Sequence, residues 1–288
     1  MTEALVHLVG AGPGDPMLLT RRGARLIAAA DVVVLDRHSL DVVANLAPAG
    51  AERCYVGRAS DGPAWSTEQI VDLLEHWAAA GRTVVRLKGG DPFVCSRGSE
   101  EHLSLLARGV AFDVVPGVSA ATAAPLAAGA SRGRSVTVVA GNHDPCYPPL
   151  DLGALADPQA SLVVLTGRAH QAALAAALMA AGLDPSTPAE LVHAATRPGQ
   201  RVVSTTLSGL GTCHLPPPTT VVIGPSAPRS MGPLGPSAPR SMGPLRPSAA
   251  GPFVVGSDHR PHVTDGAIPV VAGREPASKA SEGRRAHP

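Results

Sequence analysis

Aromatic residues are almost missing: Phe, Trp and Tyr together make up 2% of the 288 residues. Hydrophobic residues still reach 44%, so any core here is built from Ala, Val and Leu. The four cysteines, Cys54, Cys95, Cys146 and Cys213, are far apart and form no C-x-x-C pair. That excludes the common zinc and dithiol motifs, and each thiol is expected to act as a small apolar group in a reducing compartment. An excess of one charge is missing too. Lys and Arg number 24 against 23 Asp and Glu, a net charge of +1, so neither a nucleic-acid nor a membrane-surface partner is signalled. No apolar run reaches the roughly 18 residues of a membrane span, and Ala172–Leu183 is too short for one. No secretory leader is expected, since MTEALVHLVG runs straight into a strand pattern. The expectation is a soluble, cytoplasmic protein with no metal, no nucleic acid and no membrane partner.

What the chain does have is two strand-to-glycine turns of the same design. Val84-Val85-Arg86-Leu87-Lys88 leads into Gly89-Gly90-Asp91-Pro92, and Val6-His7-Leu8-Val9 leads into Gly10-Ala11-Gly12-Pro13-Gly14-Asp15-Pro16. A β-branched run reads as a buried strand, and the glycines let backbone approach a ligand closely. The first turn is not a dinucleotide fingerprint, because Asp15 stands where the third glycine belongs, and no Walker lysine follows either turn. Phosphate sites at such turns hold an anion on backbone N–H groups. A carboxylate beside each turn repels an anion and favours a neutral or cationic ligand, a class that includes S-adenosylmethionine. The plainer alternative is that Asp15 and Asp91 cap the helices that follow them. For either one alone the cap is favoured; for the pair, the ligand reading is.

Strands and helices alternate through the first part of the chain, which implies βαβ units and a mostly parallel sheet. Strands are expected at Leu5–Val9, Val32–Leu35, Ala51–Val56, Val84–Lys88 and Phe112–Val115. Helices are expected over Arg21–Ala30, capped by Thr20, over Ser66–Ala80 and over Ser99–Ala107. Asp36 ends the second strand, where ligands of open α/β sheets bind, although a capping role explains it equally well. Pro116-Gly117-Val118-Ser119-Ala120 forms a third strand-to-helix turn. A helix over Ala121–Gly129, interrupted by Pro125, and strands at Val136–Ala140, Ser161–Thr166, Glu190–Ala194, Val202–Leu207 and Thr220–Ile223 read as a second α/β domain. Residues 1–117 and 118–224 are thus the two domains expected. Residues 225–288 form a Pro/Gly-rich tail, expected to be disordered, in which GPSAPRSMGPL of Gly224–Leu234 is repeated identically at Gly235–Leu245.

Taken together, VHLVGAGPGDPMLLT, ADVVVLDR, YVGR, VVRLKGGDPFVCSRGSEE, VVPGVSAATAAP, RPGQRVV and PTTVVIG resemble the tetrapyrrole methylase family, nearest to its uroporphyrinogen-III C-methylating members. The likeness spans about residues 4–224. It implies a homodimer of two α/β domains with an S-adenosylmethionine and tetrapyrrole cleft between them. It further implies methylation of two pyrrole carbons of uroporphyrinogen III to give precorrin-2, the precursor of sirohaem and cobalamin. Matched motif by motif, it assigns cofactor contacts to Pro13, Gly89, Gly90, Asp91, Val94, Ser119, Ala120, Thr166 and Ala195, with Thr219 at a further position. Asp36 matches a proton acceptor, Arg58 stands at a catalytic position, and Arg37 and Arg97 are the expected clamps for substrate carboxylates.

This chain departs from the family pattern in four places. Arg58 replaces a lysine, and a guanidinium clamps but does not give up a proton. Leu165-Thr166-Gly167 replaces an aromatic-Met-Gly run. The segment between Gly129 and Ser135 is shorter and lacks a Thr-His pair. Cys95-Ser96 replaces Phe-Gly. Two alternatives therefore stay open beside the uroporphyrinogen reading: methylation of another tetrapyrrole or corrinoid precursor, and a cofactor-binding homologue with impaired catalysis.

Overall fold

Runs of Val and Leu that are buried on both faces dictate a parallel sheet, since only helices on both sides can cover such strands. The computed structural model describes residues 6–36, 40–57, 65–129, 134–141, 150–165 and 170–225, all within one compact unit. In the first sheet β1 (Val6–Gly10), β2 (Val32–Leu35), β3 (Glu52–Tyr55), β4 (Val84–Lys88) and β5 (Phe112–Val115) stand in the order β3-β2-β4-β1-β5. All neighbours are parallel. β1, β2 and β4 are buried along their whole length.

The helices follow from their caps. α1 (Arg21–Ala28) starts where Thr20 Oγ1 accepts from the Gly23 N–H at 3.1 Å. α2 (Asp41–Ala44) is short. α3 (Thr67–Ala79) opens on a reciprocal capping box between Ser66 and Gln69. Its Ile70, Val71 and Leu74 pack with Val6, Leu8 and Leu105 of α4 (Gly98–Ala107), while Ile27 and Val43 cover the other face with Val9, Val33 and Leu87.

α5 (Ala120–Ala127) packs Ala124 and Ala127 on Val192 of the second sheet and Ala121 on Val163 and Val222. Pro125 lies inside this helix rather than ending it, because the small buried face and the Ser119 cap hold the turn on either side. The second sheet comprises β6 (Ser135–Ala140), β7 (Ala160–Leu165), β8 (Pro188–His193), β9 (Arg201–Thr206) and β10 (Thr219–Ile223). Their order is β6-β7-β10-β8-β9, and only the β6–β7 pair is parallel. α6 (Leu152–Leu155) and α7 (Gln171–Ala180) lie on it, with Leu178 and Leu183 packed against Leu191 and Val221. No described helix is long and apolar enough to cross a membrane.

Arg37, Arg58 and Thr166 lie outside the described residues, as do Cys146, most of the shortened segment after Gly129, and the tail from residue 226 onward.

Candidate functional site

At the carboxyl end of the first sheet the three glycine turns meet backbone to backbone. Gly12 and Gly90 exchange N–H···O bonds of 3.1 and 2.8 Å, and the Ala11 N–H donates to the Lys88 carbonyl at 2.7 Å. Both Gly12 (φ 73°) and Gly90 (φ 69°) are left-handed. A Cβ on Gly10 would stand 2.5 Å from the Gly117 nitrogen, and one on Gly117 would stand 2.2 Å from the Gly90 oxygen. Only glycine permits that stacking.

The turns form one wall of a cavity of about 370 Å³. Pro13, Gly89, Gly90, Asp91, Val94, Ser119 and Ala120, widely separated in the chain, all line it. The second sheet supplies Leu165, Thr219 and Thr220, and the loop after β8 supplies Arg197. That loop is drawn across the first turn. Arg197 Nε donates to the Pro13 carbonyl at 3.2 Å, and the Asp15 N–H donates to Thr196 Oγ1 at 3.2 Å. Ala194 (φ 47°) and Thr196 (φ 66°) take the left-handed backbone conformation that this path requires. Ala195 is not brought to the cavity wall; it is buried against Ala124, Ala127 and Ala128 of and after α5.

Two carboxylates behave differently from the ligand-facing pair expected. Asp15 Oδ1 accepts from the Met17 N–H at 2.8 Å and caps the short turn Pro16–Leu18, and Asp15 is absent from the cavity wall. Asp91 does line it, yet its Oδ1 accepts from the Phe93 N–H at 2.8 Å and its Oδ2 from the Gly117 N–H at 3.1 Å. An aspartate before Pro closes on the amide two residues ahead more readily than it reaches outward. Asp15 thus caps the short turn that follows it, whereas Asp91 caps no helix, since Arg97 stands at the N-cap of α4; Asp91 closes a turn onto Phe93, bonds the Gly117 amide and lines the cavity.

A second cavity, of about 430 Å³, adjoins the first. Val56, Gly57, Trp65, Thr67 and Ile70 form one side, and Arg86, Lys88, Arg97 and Glu101 the charged side. Asp36 and Ser96 line both cavities and mark their junction. Arg97, at φ 54° ahead of α4, is more than half exposed, with its Nε 4.0 Å from Glu100 Oε2.

Behind Asp36 stands an ionic group that the strand pattern did not reveal. Arg86 is 1% exposed and donates from one terminal nitrogen to Asp36 Oδ1 at 2.5 Å. It also forks onto Glu101 at 3.0 and 2.9 Å, and Lys88 donates to the same Glu101 at 2.6 Å. Burial works against the Arg86 charge, but Asp36 and Glu101 outweigh it and hold the guanidinium above arginine's ordinary pKa. Burial, aided by Arg86, pushes the Lys88 ammonium below the lysine range, with Glu101 and Asp36 opposing. The signal in the sequence was Arg and Lys inside a run otherwise apolar enough to be fully buried; such charges demand partners. Among the described residues no cluster of three or more His, Cys, Asp or Glu has the arrangement of a metal site.

The family model described as Tetrapyrrole (Corrin/Porphyrin) Methylases matches residues 5–211. A siroheme synthase of Nitrosospira multiformis is 40% identical over 228 residues, covering 76% of this chain and 48% of the relative. The chain thus spans about half the length of the curated relatives it matches. The uroporphyrin-III C-methyl transferase from Thermus thermophilus, solved complexed with S-adenyl homocysteine, is 39% identical. It matches with a TM-score of 0.66 over 76% of this chain and 96% of its own. A cobalt precorrin-4 methyltransferase of cobalamin biosynthesis matches with a TM-score of 0.67 at 26% identity, over 76% of this chain and 94% of that one.

Proposed function

Because this chain belongs to the tetrapyrrole (corrin/porphyrin) methylase family, we propose that it is an S-adenosylmethionine-dependent methyltransferase that C-methylates uroporphyrinogen III to precorrin-2, on the route to sirohaem and cobalamin. The observation that carries this reading is the pair of adjoining cavities sharing Asp36 and Ser96. One is built on the three glycine turns, and the other carries Arg86, Lys88, Arg97 and Glu101 along one side.

The 370 Å³ cavity fits the methyl donor. Its wall is the glycine cradle, in which an added Cβ on Gly10 or Gly117 would collide with backbone, and among the described lining residues Arg197 is the one cation. Pro13, Gly89, Gly90, Asp91, Val94, Ser119 and Ala120 would hold the donor, and Arg197 would close over it. S-adenosylmethionine supplies the electrophilic methyl group.

The acceptor cavity would take one edge of the macrocycle, its carboxylates meeting Arg97 and, in the same proposal, Arg37 and Arg58. As a pyrrole carbon forms its new bond to the methyl group, the ring takes on the positive charge that sulfur loses. Asp36 at the junction stabilises that charge and receives the proton whose loss discharges it. Holding the two reactants in adjoining cavities accounts for much of the rate. Thr166 is proposed as a weaker donor contact than the family's methionine, Ala195 contributes through α5 packing alone, and a cytoplasmic homodimer with the two sheets as separate domains completes the reading.

The test is incubation of the purified chain with methyl-labelled S-adenosylmethionine and uroporphyrinogen III. Label in a dimethylated tetrapyrrole supports the proposal. Donor binding without transfer to uroporphyrinogen III contradicts it.

A further inference from the structure

Asp36 follows β2 directly and is about one-third exposed. What fixes its carboxylate comes from the neighbouring strand. Val34 on β2 is in register with Arg86 on β4, which places the Arg86 guanidinium beneath the end of β2. There its two terminal nitrogens reach the Val34 carbonyl at 3.4 Å and Asp36 Oδ1 at 2.5 Å. The guanidinium cannot swing away, because Glu101 grips it through two further bonds, and Glu101 is itself 2% exposed at the first turn of α4. Lys88, two residues along the same strand and hence on the same face, supplies the second cation that Glu101 accepts.

We propose that Arg86 is a positioning residue for methyl transfer: held by Glu101, which Lys88 anchors in turn, it fixes the Asp36 carboxylate at the junction of the two cavities. The proposal rests on the reading of those cavities as donor and acceptor sites. Two anions and two cations balance within the group, so the arrangement stays neutral while only Asp36 reaches the junction. Arginine is required because one guanidinium presents separate N–H groups to Glu101, to a carbonyl and to Asp36, which a lysine ammonium in this place does not. The groups facing Asp36 are Arg86 from β4, with Lys88 and Glu101 behind it, and Arg97 and Asp91 at the two cavity walls. Arg86 bonds the Asp36 carboxylate directly.

The experiment compares wild type with Arg86→Met and Arg86→Lys. Carbon-13 NMR titration of the Asp36 carboxyl, identified by its loss in Asp36→Asn, reads the pairing without any turnover. Removing the guanidinium should raise the Asp36 pKa, and Arg86→Lys should restore it in part. In the methyl-transfer assay kcat should fall on the order of 100-fold in Arg86→Met, as for a catalytic group displaced by about an ångström. The acid limb of the kcat profile should move to higher pH. Binding of S-adenosylhomocysteine, followed by calorimetry, should stay within about twofold, since Arg86 does not line the donor cavity and its glycine turns keep their backbone bonds. If Arg86→Met is too poorly folded to measure, Arg86→Lys carries the same readings at smaller amplitude. An Asp36 titration that does not move in either variant overturns the proposal, whether or not the wild type turns over uroporphyrinogen III. Wild type that transfers no methyl group, with the titration shift present, overturns the function instead and leaves standing only that Arg86 fixes the Asp36 carboxylate.

Discussion

Arg197 Nε donates to the carbonyl of Pro13 across 3.2 Å, so the loop after β8 is tied directly to the first glycine turn. The contact joins residues 184 positions apart in the chain and closes the donor cavity from the side of the second sheet.

Truncating Arg197 to alanine removes that tie. A hydrogen bond of this kind contributes about 1 kcal/mol net, which corresponds to roughly fivefold weaker binding. Calorimetric titration with S-adenosylhomocysteine reads it. Gly14→Ala should weaken binding through the same contact, because its Cβ would lie 1.9 Å from Arg197 Nε. Unchanged affinity in both variants would remove Arg197 from the donor site.

The stacked turns give a sharper outcome. In Gly10→Ala the new Cβ meets backbone atoms of Gly117 and Gly90 at 2.5–2.7 Å, none of which is a flexible chain end. Overpacking of this sort costs roughly 3 kcal/mol, so thermal denaturation should show a clear drop in Tm together with loss of donor binding. Gly50→Ala, with nothing within 4 Å of its added Cβ, is the matched control and should leave both unchanged.

Arg97 separates binding of the acceptor from stability. Its ion pair with Glu100 is long and solvent-exposed, so Arg97→Ala should alter stability by no more than about 0.5 kcal/mol. Loss of a charge-assisted bond to a substrate carboxylate should raise the acceptor KM roughly tenfold or more. Steady-state kinetics with the donor saturating make the measurement, and the donor KM is expected to hold.

Lys88 should leave a signature in the pH dependence of stability. Its pKa in the fold lies below the ordinary 10.5, first because it is buried and next because Arg86 adjoins it. Between the lowered value and 10.5 the unfolded chain binds more protons than the folded one, so this group's contribution grows more favourable as pH rises through that window. Lys88→Met lacks the contribution. The Tm of wild type relative to the variant should therefore climb as pH approaches about 10. The raised thiol of Cys54 acts in the opposite sense but cancels in the difference. A difference independent of pH contradicts the assignment.

The strands of the first sheet were legible because Val-rich runs ending in glycine have few other solutions, and the observed β2, β4 and β5 begin and end where the pattern puts them. The cap at Thr20 was equally plain, as was a helix starting at Ser66. What composition hid was the meaning of charge. Asp15 and Asp91 drew attention because carboxylates stand out at glycine turns, yet their nearest N–H groups claim them first. Arg86 and Lys88 were passed over because a strand reading assigns them a face, not a partner, and Glu101 lies a turn and a helix start away. The mixed order of the second sheet was not readable at all, since alternation along a strand says nothing about which strand lies beside it.

A crystal structure with both S-adenosylhomocysteine and a uroporphyrin-type tetrapyrrole bound tests the central claim most directly. The account predicts the donor product within the glycine cradle, its sulfur directed at the junction between Asp36 and Ser96, and a pyrrole edge entering from the neighbouring cavity. A tetrapyrrole seated away from Asp36, or a donor product outside the three stacked turns, would contradict it.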